Sequence, residues 1–162
     1  MNKQVLDACC GAKMFHFDKK NPLVLYQDIR KPGDYSVYSK KVILDPDIVG
    51  DYRNLKFPDE SFYLVLFDPP HLLWAGERGR LKAAYGDLNK DTWRDDLHRG
   101  FNECWRVLRP GGTLIFKWSE VQIKLSEVLE LFPQKPICGN RRVGPKSNTH
   151  WLVFFKEAEN DN

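Results

Sequence analysis

The sequence predicts an α/β fold built on one mostly parallel sheet whose last strand runs antiparallel. Three observations predict it. Short apolar runs alternate with helical patterns, as they do in β-α-β units. Many of these runs stop at turn or charge signals, such as Gly11, Asp28 and Asp68-Pro69-Pro70. The last two runs are separated by only about six residues, too few for a parallel crossover.

Residues 4–9 read as a buried first strand that stops at Gly11, and residues 23–27 as a second that stops at Asp28. Residues 30–47 are irregular, with Pro32-Gly33-Asp34 and Asp45-Pro46-Asp47 as turns and a small β-ribbon over 37–44. A third strand covers 48–51 and a fourth 63–67, ended by Asp68-Pro69-Pro70. Residues 71–90 read as a long loop. A helix begins near Asp91 or Thr92, with Leu97, Phe101, Cys104, Trp105 and Leu108 on one face, and ends at Pro110-Gly111-Gly112. Residues 113–118 form the fifth strand. Ser119 is placed to cap a helix over 120–131, and strands over 136–143 and 150–156 follow, joined through Gly144-Pro145.

At 162 residues the chain has room for about one domain, which excludes a separate recognition domain. The expected organisation is a domain over 1–156, with 71–94 inserted as a lid and target-recognition loop, and a polar tail over 157–162. A hydrophobic share of 42% excludes whole-chain disorder. The net charge of +3 is too mild to imply nucleic acid by itself. Five Trp, six Tyr and ten Phe stand out; most should be core, and some should lie at a surface that binds something planar.

Cys9, Cys10, Cys104 and Cys138 contain no C-x-x-C pair, which argues against structural zinc, and His16, His98 and His150 lack metal-ligand spacing. No metal is expected. The start of the chain lacks a secretory pattern, and no apolar run reaches the roughly 18 residues of a membrane span. The expectation is a cytoplasmic protein with reduced thiols and no membrane partner.

Four constellations carry chemistry. Val5-Leu6-Asp7-Ala8-Cys9-Cys10-Gly11 puts an acid late in a strand before a glycine turn, which is how nucleotide-like cofactors are met. A dinucleotide fingerprint needs G-x-G-x-x-G, and only Gly11 fits, so an NAD-dependent oxidoreductase is disfavoured. Asp28, at the second strand's end, can accept both hydroxyls of a ribose. Asp51, with Tyr52 beside it, can accept an adenine amine. The most specific is Asp68-Pro69-Pro70-His71 directly after an apolar strand. The two prolines stiffen the backbone, so the Asp68 carboxylate and the Pro69 carbonyl offer two fixed acceptors to an amine's two N–H donors. His71 offers a flat face for a base.

Taken together, VLDACCG, the Asp of LVLYQDIR, GDYRNLKFPDESF, VLFDPPH and RVLRPGGTLIFKW resemble the class I S-adenosylmethionine-dependent methyltransferases. The DPPH tetrad resembles the D-P-P-Y/F signature of amino-methyltransferases, above all the small adenine-N6 DNA enzymes of phages and bacterial mobile elements. The likeness runs from Val5 to about Lys156. It implies a Rossmann-like, doubly wound sheet with S-adenosyl-L-methionine as cofactor. It further implies that Asp7, Ala8, Cys9, Gly11, Asp28, Asp51, Tyr52 and Asp68 meet that cofactor. Asp68, Pro69, Pro70 and His71 would then hold the target base. Ala12 stands where the family has a second glycine, His71 replaces an aromatic, and the helix that commonly precedes the first strand has no counterpart here.

The segment after the tetrad carries Trp74, Arg78, Arg80, Lys82 and Tyr85, aromatics interleaved with bases, which suits an extruded nucleotide. Arg141, Arg142 and Lys146 form a second basic cluster fit for phosphates. The resulting expectation is methyl transfer to the N6 amine of adenine in DNA. The alternatives are an RNA enzyme acting on adenine N6 or guanine N2, and a catalytically silent nucleic-acid-binding module. A homodimer is compatible with the missing first helix.

Overall fold

The structure, a computed structural model, describes residues 3–37, 41–74, 80–140 and 148–158, with the backbone alone at Arg80 and Leu81. In chain order the elements are β1 (Val5–Asp7), β2 (Val24–Asp28), β3 (Gly33–Asp34), β4 (Ile43–Leu44), β5 (Ile48–Val49), β6 (Phe62–Phe67), α1 (Arg80–Tyr85), α2 (Trp93–Val107), β7 (Leu108–Ser119), α3 (Leu125–Leu129), β8 (Cys138–Gly139) and β9 (Thr149–Phe155).

Seven strands make one sheet in the order β5-β2-β1-β6-β7-β9-β8. The pairs from β5 to β7 are all parallel, whereas β9 runs antiparallel to both β7 and β8. The expected mostly parallel sheet with an antiparallel last strand is therefore the observed one. The strand order reverses at β1, and β1, β2 and β6 all end on the same side. Their carboxyl ends open the crevice in which such sheets hold ligands. The predicted ribbon forms as β3 paired with β4, beginning at Gly33.

Alternation along β7 explains its placement. Leu114, Phe116 and Trp118 are buried on one face, and Thr113, Ile115 and Lys117 are half-buried on the other. Helix α2 packs Trp93, Leu97, Phe101, Cys104 and Val107 onto the first of these faces. The Phe101 ring stacks on Phe132 with centroids 4.1 Å apart and meets Phe154 edge-on at 5.0 Å. At Gly100 a side chain would run into the ring of Tyr52, so the glycine lets that ring lie against α2.

Arg106, near the end of α2, donates to Glu103, to Asp59 and to the carbonyls of Leu55 and Phe57. One guanidinium thereby holds the segment after β5 against the helix.

Three expectations are corrected. Residues 71–90 are not one loop, because α1 forms within them. Pro110-Gly111-Gly112 does not end α2: the helix stops at Val107 and the three residues lie inside β7. There Gly111 donates to the Lys156 carbonyl at 2.7 Å and Lys156 returns a bond to Gly112 at 3.0 Å. The helix expected over 120–131 shrinks to α3. The residues before it hold the loop instead: the Trp118 indole donates to the Ile123 carbonyl, and Glu120 accepts from the Leu125 amide.

Candidate functional site

After β1 the chain crosses the end of the sheet. The Ala8 amide donates to the Leu66 carbonyl and the Cys10 amide to the Gln27 carbonyl, at 3.0 and 2.8 Å. Gly11 then turns with φ of +50°, and its amide donates to Asp28 Oδ2 at 2.9 Å. A Cβ there would press on the Ala84 carbonyl at 3.0 Å, so glycine allows α1 to approach the turn. The second left-handed residue of the turn is Lys13, at φ of +53°, not Ala12.

Asp7 is fully buried. Its Oδ2 lies 2.7 Å from His16 Nε2, and its Oδ1 accepts from the Cys9 amide. Burial pushes the Asp7 carboxyl above the usual range, against the lowering pull of His16. The residue organises the turn and does not line the cavity.

Asp28 and Asp51 share a local design, D-x-R. Arg30 donates to both oxygens of Asp28, at 2.9 and 3.1 Å, and also to the carbonyls of Ala83 and Ala84 at the end of α1. Arg53 likewise grips both oxygens of Asp51 and reaches Asp96 at 2.9 Å. Partial burial pushes the Asp51 carboxyl up, but the bonds and charge of Arg53 win and hold it below the usual range. Asp51 therefore braces β5 against α2 and stands outside the cavity, which Tyr52 lines in its place.

Asp68, at the end of β6, is 8% exposed. Its Oδ2 accepts from the ammonium of Lys117 on β7 at 2.7 Å. Burial pushes the Asp68 carboxyl up to about 6, although Lys117 pulls against it. The ring centroids of Tyr85, Phe15 and Trp151 lie 5.3, 5.6 and 5.7 Å from the same ammonium. His71 is buried, packs at steep angles against Tyr85 and Trp118, and does not line the cavity. Burial, and then the charge of Lys117, push the imidazole down to about 4, so it stays neutral at physiological pH. The ring that faces the cavity beside Pro70 is Tyr85.

These groups surround a cavity of about 370 Å³ at the carboxyl ends of β1, β2 and β6. That volume lies within the range of small-ligand and cofactor sites. Of the eight residues expected at a cofactor, Ala8, Cys9, Gly11, Asp28, Tyr52 and Asp68 line it, and Asp7 and Asp51 do not. Of the catalytic tetrad, Asp68 and Pro70 line it, while Pro69 is buried behind them. Burial pushes the Cys9, Cys10 and Cys104 thiols up, so these cysteines are not nucleophiles.

Among the residues expected at nucleic acid, Trp74 is 67% exposed, Lys82 pairs with Asp87 at 2.9 Å, and Tyr85 stands in the cavity. Arg78, Arg141, Arg142, Lys146 and the side chain of Arg80 lie outside the described residues. No group of metal ligands occurs among the described residues, and no described helix is long and apolar enough to cross a membrane.

Sequence reading missed Phe15, Arg30, Lys117 and Trp151. Two of these had a signal. Arg30 follows Asp28 at the interval at which Arg53 follows Asp51, and Lys117 interrupts an apolar central strand.

No protein family and no curated protein matches the chain. Solved structures do. The PH0226 protein from Pyrococcus horikoshii is 16% identical, with a TM-score of 0.53 over 95% of this chain and 83% of that one. A SAM-dependent methyltransferase from Leishmania major is 10% identical, with a TM-score of 0.54 over 93% of this chain and 64% of that one. At such identities the likeness establishes the fold: the chain has the Rossmann-like α/β fold of these proteins, with its ligand crevice at the carboxyl ends of the central strands.

Proposed function

We propose that the protein is an S-adenosylmethionine-dependent methyltransferase that modifies the exocyclic N6 amine of adenine in DNA. One observation carries this reading. The Asp68 carboxylate, set in a Pro69-Pro70 frame, opens into the same cavity as the Gly11 turn and Asp28. An acceptor for an amine and a cradle for a ribose thus share one space.

The residues present fit the cofactor. Asp28 supplies two ribose acceptors once Arg30 yields them, Tyr52 supplies a flat wall, and the backbone from Ala8 to Gly11 passes close by. When bound, the cofactor supplies an electrophilic methyl group on a sulfonium. Asp68 accepts an N–H group of the target amine and favours a tetrahedral nitrogen with a localised lone pair, while the buried Pro69 stiffens the frame behind it. Tyr85 and Phe15 flank the base, and His71 supports Tyr85 from behind. Catalysis rests on positioning and preorganised dipoles. The amine proton leaves to solvent after transfer, so Asp68 need not be a strong base. A duplex must surrender the base first, at a cost of a few kcal/mol.

The test is transfer of radiolabelled methyl from S-adenosylmethionine to unmethylated genomic DNA, with total RNA in parallel. The expected product is N6-methyladenine in DNA. Asp68→Ala should abolish transfer and leave cofactor affinity within a few fold. Label confined to RNA would move the substrate to the other nucleic acid. Normal turnover by Asp68→Ala would refute the mechanism.

A further inference from the structure

Lys117 is a cation where the proposed chemistry has no stated use for one. It lies on the half-buried face of β7, lines the cavity, and its side chain is 17% exposed. The ammonium donates to Asp68 Oδ2 at 2.7 Å, and three aromatic rings surround it within 6 Å. An ammonium has three N–H donors, and Asp68 takes one. The remaining donors sit beside the carboxylate that would receive the target amine.

Resting on the methyltransferase reading above, we propose that Lys117 is a specificity-determining residue that donates to the ring nitrogen next to the target amine. Asp68 and Lys117 then form an acceptor–donor pair. It is complementary to an amine beside an unprotonated ring nitrogen, the edge that adenine presents with N6 and N1 and cytosine with N4 and N3. Guanine presents two donors on its Watson–Crick edge, its N2 amine and N1–H, and the ammonium rejects the second; its N2–N3 edge, which would satisfy the pair, lies against the sugar. The rings of Phe15, Tyr85 and Trp151 crowd the ammonium, and the lower local dielectric beside them strengthens the contact. The pair thereby narrows the substrate from exocyclic amines in general to the adenine-type edge.

The test uses oligonucleotides containing the site methylated in genomic DNA, with the target adenine intact, as 1-deazaadenine, or as 7-deazaadenine. Removing N1 should lower kcat/KM of the intact protein by roughly tenfold to a hundredfold, the range for a hydrogen bond to a charged group, and removing N7 should not. Measured at about pH 9, where Asp68 is ionised in both proteins, Lys117→Met should lose a similar factor on adenine and no longer distinguish adenine from 1-deazaadenine, whereas Lys117→Arg should retain the discrimination. Losses that multiply independently would show that Lys117 acts only through Asp68 and would overturn the proposal. So would indifference of the intact protein to 1-deazaadenine, a measurement that needs no variant to fold. Failure to methylate even the intact oligonucleotide would instead refute the methyltransferase reading, and this assignment with it.

Discussion

Replacing Lys117 by Met should move the pH dependence of the enzyme by a predictable amount. Asp68 accepts an amine N–H most strongly when ionised, and burial sets its carboxyl at about 6 while Lys117 opposes the rise. In the native protein kcat/KM should therefore climb with pH through about 6 and level off. At pH 7 roughly nine-tenths of Asp68 is ionised on that midpoint. Lys117 is an opposite charge at 2.7 Å, and such a neighbour lowers a carboxyl by about one to three units. Without it the midpoint should rise to about 7–9. For a two-unit rise the ionised fraction at pH 7 falls to roughly a tenth, and the loss is recovered by about pH 9. The assay is a pH series of kcat/KM, which reports groups of the unliganded enzyme. A carbon-13 NMR titration of the Asp68 carboxyl follows the same midpoint without turnover. A variant whose midpoint stays near that of the native protein, by both methods, would refute the claim that Lys117 sets the charge state of Asp68.

Asp28→Ala should weaken S-adenosylmethionine binding about tenfold or more by calorimetry, because two charge-assisted hydrogen bonds to the ribose are lost. Asp51→Ala should change that affinity less than Asp28→Ala does, and should instead lower the urea midpoint, since Asp51 is the brace for Arg53. Equal effects on affinity would return Asp51 to the cofactor site. Phe101→Ala removes a fully buried ring that packs on Phe132 and Phe154, and should cost about 3–5 kcal/mol in denaturant titrations. Gly11→Val should cost about 1–2 kcal/mol for the left-handed backbone and also weaken cofactor binding, because its Cβ meets the Ala84 carbonyl. Unchanged stability would show that the turn relaxes.

Most strands were legible in the sequence because their runs combined a period or composition with a stop. Val65 and Phe67 are apolar and Asp68-Pro69-Pro70 is a hard terminator, so β6 was readable to within a residue. The short helices were not. The 71–90 segment is polar and rich in glycine, and α1 is held by tertiary contacts: Arg30 reaches its last carbonyls from 53 and 54 residues away. The 120–131 pattern looked helical, but Glu120 and Gln122 hydrogen-bond across the loop instead, Gln122 to the backbone of Leu73 and Trp74. Within the site, residues that reach the cavity through the backbone or from a strand end could be named in advance. Phe15 and Trp151 could not, because they converge on Lys117 from a loop and a neighbouring antiparallel strand that only the folded sheet brings together.

The guanidinium of Arg30 gives the ligand site a thermodynamic partner. It holds the oxygens of Asp28 with one set of donors and the carbonyls that close α1 with another. A ligand hydroxyl that claims Asp28 must displace Arg30 there, and that displacement loosens the helix standing over the Gly11 turn. Reciprocity then works in both directions: whatever lifts α1 frees Asp28, and whatever takes Asp28 makes lifting α1 cheaper by the same free energy. Two ligands that enter from opposite sides of this helix would therefore assist each other's arrival through a single side chain, without either touching the other.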